Sequence, residues 1–86
     1  MATVRAFRVP GLKIWFWSQD HEPPHFHAKR EGEWEMKVHF LRVPGEMLEL
    51  VWADRRPPRR ILQQLACLAE EHRLALLEQW ETILRK

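Results

Sequence analysis

The hydrophobic period of this chain changes once, and that change sets the fold class. From Ile61 onward, Ile61, Leu62, Leu65, Leu68, Ala69, His72, Leu76, Trp80, Ile83 and Leu84 recur at steps of three and four, and neither Gly nor Pro interrupts Arg59 to Lys86. That is the stripe of an amphipathic helix. Before Asp54 the apolar residues alternate in steps of two, as in strands with one buried face. The combination specifies an α+β fold, a sheet with the helix packed on one face. An unbroken helix would run about 40 Å at ~1.5 Å per residue, whereas strands span roughly 20 Å. The helix therefore kinks near Glu70-Glu71-His72, or its far end (Leu76, Trp80, Ile83 and Leu84) stays uncovered for another chain, a second copy included.

The alternating part sorts into strands. Arg5 to Val9 reads as a short lead-in strand stopped by Pro10-Gly11, and Leu12 to Ser18 sets Leu12, Ile14 and Phe16 against Lys13, Trp15 and Trp17. Gln19 to Pro24 is a loop, because Pro23-Pro24 cannot donate to a ladder. His25 to Lys29 and Glu33 to Leu41 form a hairpin around Arg30-Glu31-Gly32, with Gly32 in the left-handed position. That pairs His27 with Glu35, Phe26 with Met36 and His25 with Lys37, whereas a two-residue loop would set Phe26 opposite Lys37. Val43-Pro44-Gly45-Glu46 turns into a strand from Met47 to Trp52, with Leu48, Leu50 and Trp52 on one side. Pro58 fits the first helical turn. The expected architecture is a single domain over residues 1–86, a three- to four-stranded, mostly antiparallel sheet under a long C-terminal helix. Phe26, Trp34, Met36, Val38, Leu50, Leu65, Leu68 and Trp80 should form its core, joined by Cys67 and a packed His72, with Glu35 and Lys37 more exposed.

Composition narrows the function classes. At 86 residues there is room for one small core and not two. Fourteen Lys and Arg against 12 Asp and Glu leave a formal charge of +2, too balanced for a purely electrostatic binder. The lone Cys67 excludes an intrachain disulfide and a four-Cys zinc site and favours a reducing, cytoplasmic setting. No run approaches the roughly 20 apolar residues of a membrane span, and the N-terminus has no apolar signal core.

The densest polar cluster is Asp20-His21-Glu22-Pro23-Pro24-His25-Phe26-His27, holding three of the chain's five histidines. On a strand His25 and His27 point the same way, about 6.6 Å apart at ~3.3 Å per residue. Two such imidazoles can share a zinc ion at about 2.0–2.1 Å. The pairing adds Glu35, and His39 lies on the same face, giving His25, His27, Glu35 and His39 as candidate metal ligands, although Lys37 beside His25 would repel a cation. A second reading is metal-free RNA cleavage, with His25 and His27 as acid and base and Lys37 or Arg30 holding the phosphate. A third is a polar, solvated face that aids solubility. Trp15 and Trp17 share this face and could stack nucleobases, or pack under the N-terminal segment or at a dimer contact. Arg55, Arg56, Arg59 and Arg60 could grip nucleic-acid phosphates or an acidic partner, and their place at a helix start opposes the helix dipole.

The order of these features resembles a known family. An aromatic strand ending in Ser18, then His21-Glu22-Pro23-Pro24-His25-Phe26-His27-Ala28, a Gly turn, a Trp-bearing strand, and a helix with Glu71-His72-Arg73 and Glu78-Gln79-Trp80 are similar to the bacterial domain-of-unknown-function family 4160. The acidic-Pro-Pro-His-x-His segment is the most specific part, and the likeness covers nearly the whole chain. It implies a small α+β protein of bacteria and some archaea. Genes of this family often lie beside another small family of unknown function, an arrangement like toxin–antitoxin pairs. The resemblance carries over no catalytic residue, and the Arg55 to Arg60 block departs from it. The expected function is a partner-binding component of a toxin–antitoxin-like or regulatory pair, its protein partner encoded nearby. The alternatives are a small RNase or a metal-binding protein.

Overall fold

The structure, a computed structural model, describes residues 2–84. Five strands, β1 (Ala2–Thr3), β2 (Lys13–Phe16), β3 (Phe26–Arg30), β4 (Trp34–Val38) and β5 (Leu48–Ala53), are followed by helices α1 (Arg59–Glu71) and α2 (Arg73–Leu84). The strands lie in the order β1-β2-β3-β4-β5, each antiparallel to the next. The α+β class holds. The sheet has five strands where three or four were expected, and it is antiparallel throughout. The lead-in strand is Ala2–Thr3, paired with Phe16 and Trp15, and Arg5 to Val9 is not a strand. Phe7 and Val9 enter the core instead, so their alternation reflects burial without strand pairing.

The long C-terminal helix is two helices, broken where one of the two expected alternatives set a kink. At His72 the backbone leaves the helical region, at φ −105° and ψ 23°, while its N–H still donates to Leu68 O at 2.9 Å. The break lets α2 follow its own sheet. Leu76 and Trp80 are buried and Ile83 packs partly against the core, so this stripe is not left uncovered; the side chain of Leu84 lies outside the described residues. Arg73 Nε donates to Phe40 O at 2.8 Å, and Gln79 Nε2 donates to Thr3 O at 2.8 Å while its Oε1 accepts from Arg5 N–H at 3.0 Å. Pro58 precedes the first helical turn as its N-cap. Cys67 is exposed on α1, not core, and Leu68 is only partly buried.

The hairpin keeps the expected parity and shifts by two residues. Its turn closes with Glu33 N–H donating to Arg30 O at 2.9 Å, Gly32 taking φ +78°. The loop is Glu31-Gly32-Glu33, so His27 faces Lys37, Ala28 faces Met36 and Arg30 faces Trp34. Glu33 O is occupied from the other side, accepting from Asp54 N–H at 2.8 Å and Arg55 N–H at 3.1 Å. Because the slip is even, no side chain changes face. Trp34, Met36 and Val38 are buried, with Glu35 and Lys37 intermediate.

A bulge changes faces on β5. Glu35 pairs with Trp52 but Met36 pairs with Leu50, which leaves Val51 without a partner. One extra residue on one strand reverses the alternation beyond it. Leu50 and Trp52 therefore point to opposite sides, against the expectation that Leu48, Leu50 and Trp52 share one. Leu50, expected in the core, is 53% exposed on this edge strand.

Candidate functional site

The helix-covered face carries Ile14, Phe16, Phe26, Ala28, Trp34, Met36 and Val38. The opposite face carries Trp15, His27, Glu35, Lys37 and Trp52, following the pairing register. His25, just before β3, sits at the join, its ring centroid 5.5 Å from that of Trp80. This face is not solvated as a polar strand face would be. His25, His27 and His39 are 6%, 5% and 5% exposed, and Trp15 only 3%.

The cluster supplies its own cover. Trp15 stacks on His27 with centroids 5.3 Å apart and planes 19° apart, while Trp17 meets both rings edge-on. From above comes Asp20. Its N–H donates to Trp17 O and its Oδ2 accepts from Trp17 N–H, both at 3.3 Å, closing a tight turn that folds the loop back over β3. Asp20 Oδ2 then lies 3.0 Å from His27 Nε2 and 3.4 Å from His25 Nε2. Burial pushes His27 below the ordinary histidine value, against the upward pull of its hydrogen bond to Asp20.

Of the expected metal set, the structure brings together His25 and His27. Glu35 Oε2 stands 3.8 Å from His27 Nδ1, behind the ring. His39 Nε2 is taken by Glu49 Oε1 at 2.8 Å, and its ring lies 5.5 Å from that of His25. The carboxylate that does converge is Asp20. Ligand atoms of Asp20, His25 and His27 all lie within 4.8 Å of one another. Asp20 stands in the polar cluster of the sequence, but only its turn brings it over the strand.

Of the RNase trio, His25 and His27 are buried and Lys37 is partly buried. Arg30 ends β3, half-buried. Trp15 is closed to nucleobases by His27 and by Lys29 Nζ, 5.7 Å from its ring centroid; Trp17 remains exposed. Arg55, Arg56, Arg59 and Arg60 are all exposed. Arg56 and Arg59 rim an apolar groove floored by Leu48, Leu50, Pro57 and Leu62. Sequence reasoning missed the neighbouring edge, where consecutive Leu50, Val51 and Trp52 are 53%, 46% and 42% exposed. The apolar run was visible, but its place at the end of the sheet was not.

Residues 11–81 match the family described as Domain of unknown function (DUF4160). The chain belongs to DUF4160. The match takes in β2 through most of α2, so the DUF4160 region holds Asp20, both site histidines, the β5 edge and the Arg block. No curated protein and no solved structure matches this DUF4160 chain significantly. No helix among its described residues is long and apolar enough to cross a membrane.

Proposed function

We propose that this DUF4160 chain is the partner-binding component of a toxin–antitoxin-like or regulatory pair and that it takes its partner along β5. The observation that carries this reading is the outer edge of β5, which pairs with no other strand among the described residues and exposes Leu50, Val51 and Trp52 in a row. Sheet edges are ordinarily guarded by charge, Pro or cover. An open apolar edge instead offers backbone hydrogen bonds and alternate side-chain pockets to an incoming strand. Leu50 borders the groove with Leu48, Pro57 and Leu62, and Trp52 serves the other face. Arg55, Arg56, Arg59 and Arg60 follow at the end of this edge. The fitting partner is an extended apolar segment with acidic residues at the Arg end, since complementary charge fixes direction and speeds encounter. Burial of His25 and His27 favours docking over RNA cleavage.

The test is co-expression with the product of the adjacent reading frame. That product should co-purify with the wild-type chain, and it should be lost with Leu50→Lys plus Val51→Lys; Arg55→Ala plus Arg56→Ala should weaken capture and make it less sensitive to salt. A neighbour that never co-purifies, or binds the edge variant equally well, overturns the reading.

A further inference from the structure

We infer that Asp20, His25 and His27 form a binding site for one divalent transition-metal ion, with zinc the ion that fits. Protonation geometry is the first support. His25 Nδ1 lies 2.8 Å from Pro23 O. A carbonyl oxygen only accepts, so Nδ1 carries the hydrogen and Nε2 of the neutral ring presents a bare lone pair. That Nε2 is buried without a hydrogen-bond partner, and it faces Asp20 Oδ2 at 3.4 Å. A lone pair and a carboxylate oxygen repel at this distance unless a metal ion or a proton stands between them, and an orphaned buried polar atom calls for such an explanation.

The two distances from Asp20 to the histidines match a coordination shell, and the two histidine nitrogens lie within 4.8 Å of each other. Donors 2.0–2.1 Å from a tetrahedral zinc are about 3.3 Å from one another. The two Asp20–His distances are 3.0 and 3.4 Å. Two imidazole nitrogens and one carboxylate suit zinc and its first-row neighbours, whereas calcium and magnesium prefer oxygen ligands throughout.

Each histidine also has an acceptor behind its other nitrogen, as metal-bound histidines do. For His25 it is Pro23 O. For His27 it is the Glu35 carboxylate, 3.8 Å from a buried Nδ1 that has no hydrogen-bond partner. When the ion takes His27 Nε2, the ring's single proton resides on Nδ1, facing Glu35, and the ring stays neutral. Glu35 is thus a positioning residue and not a ligand. His39 is outside the shell, its Nε2 held by Glu49. Three protein ligands leave a fourth position for water or an outside donor.

The experiment titrates the chelator-stripped full chain with zinc chloride by calorimetry, then with Co²⁺ followed by visible absorption. One ion should bind per chain, and Co²⁺ should show the intense bands of a tetrahedral nitrogen–oxygen site. Asp20→Asn and His25→Gln should each weaken zinc by more than about 100-fold, and the partly exposed Glu35→Gln by about 10–100-fold. His21→Gln, an exposed histidine of the same loop, should bind like wild type. The wild-type Co²⁺ spectrum decides whether the site exists even where a ligand variant fails to fold. Absence of saturable binding overturns the inference and leaves a packed hydrogen-bonded network. So does zinc binding that survives Asp20→Asn, or that is lost in His39→Gln as fully as in His25→Gln.

Discussion

The His cluster and the β5 edge invert each other. At the first, polar rings that solvent would accept are buried under Trp15, Trp17 and Asp20. At the second, Leu50, Val51 and Trp52, which a core would accept, stand exposed. Neither arrangement follows from folding alone, since burying polar groups costs stability unless they are paired and exposed apolar edges invite association. Places where local pattern and global burial disagree are the places to look for function. On the readings proposed above, the cluster turns inward toward a small ligand, while the edge turns outward toward a macromolecule.

If the cluster is a packed structure, Trp15→Ala should cost about 3–5 kcal/mol, as deletion of a buried aromatic does, measured by urea unfolding. A loss below about 1 kcal/mol would place Trp15 on an ordinary surface and break the comparison. Asp20→Ala comes next. It strips His27 Nε2 of its acceptor, and the metal-free protein should lose about 1–3 kcal/mol in the same assay. The edge should behave oppositely, Leu50→Lys plus Val51→Lys changing stability by no more than about 0.5 kcal/mol per site while abolishing partner capture. A large destabilisation there would mean that the edge supports the fold.

The smallest effect sharpens the rim of the cluster. The hydrogen bond from His39 holds the Glu49 carboxyl below the usual glutamate value of 4.5. A depressed carboxylate adds stability above its unfolded value and loses it as pH falls through the folded one. Urea midpoints should therefore fall more steeply with acid below pH 4.5 in wild type than in Glu49→Gln. The difference will be slight, because the Glu49 side chain is 56% exposed.

What the sequence made legible follows from what a period can encode. Trp34, Met36 and Val38 alternate with Glu35 and Lys37, and parity alone fixes their faces. A slip of two preserves parity, so His27 facing Lys37 was not readable; Glu33 O is held by Asp54 and Arg55, far along the chain. The mismatch between helix and strand lengths made a break near His72 readable as one of two alternatives. The cover on Leu76 and Trp80 was not, because it depends on a nonlocal fit to the sheet and the N-terminal segment. Neither Gly nor Pro marks the bulge at Val51, so Trp52 was assigned to the wrong face. The two histidines and their common direction were legible in the cluster, but their burial and Asp20 were not. Alternation reads the same whether a polar face meets water or its own aromatic neighbours.

The strand order has a kinetic consequence. Each strand pairs with its predecessor in sequence, so the sheet assembles through short loop closures, and chains of mainly local contacts fold quickly. The Gln79 bonds to Thr3 and Arg5 span 76 and 74 residues, and the entropy of closing so long a loop must be met before they form. The clasp between α2 and the N-terminal segment is therefore expected to form late, after the transition state. Gln79→Ala should speed unfolding and leave the folding rate nearly unchanged, making this one side chain a latch on the lifetime of the native state.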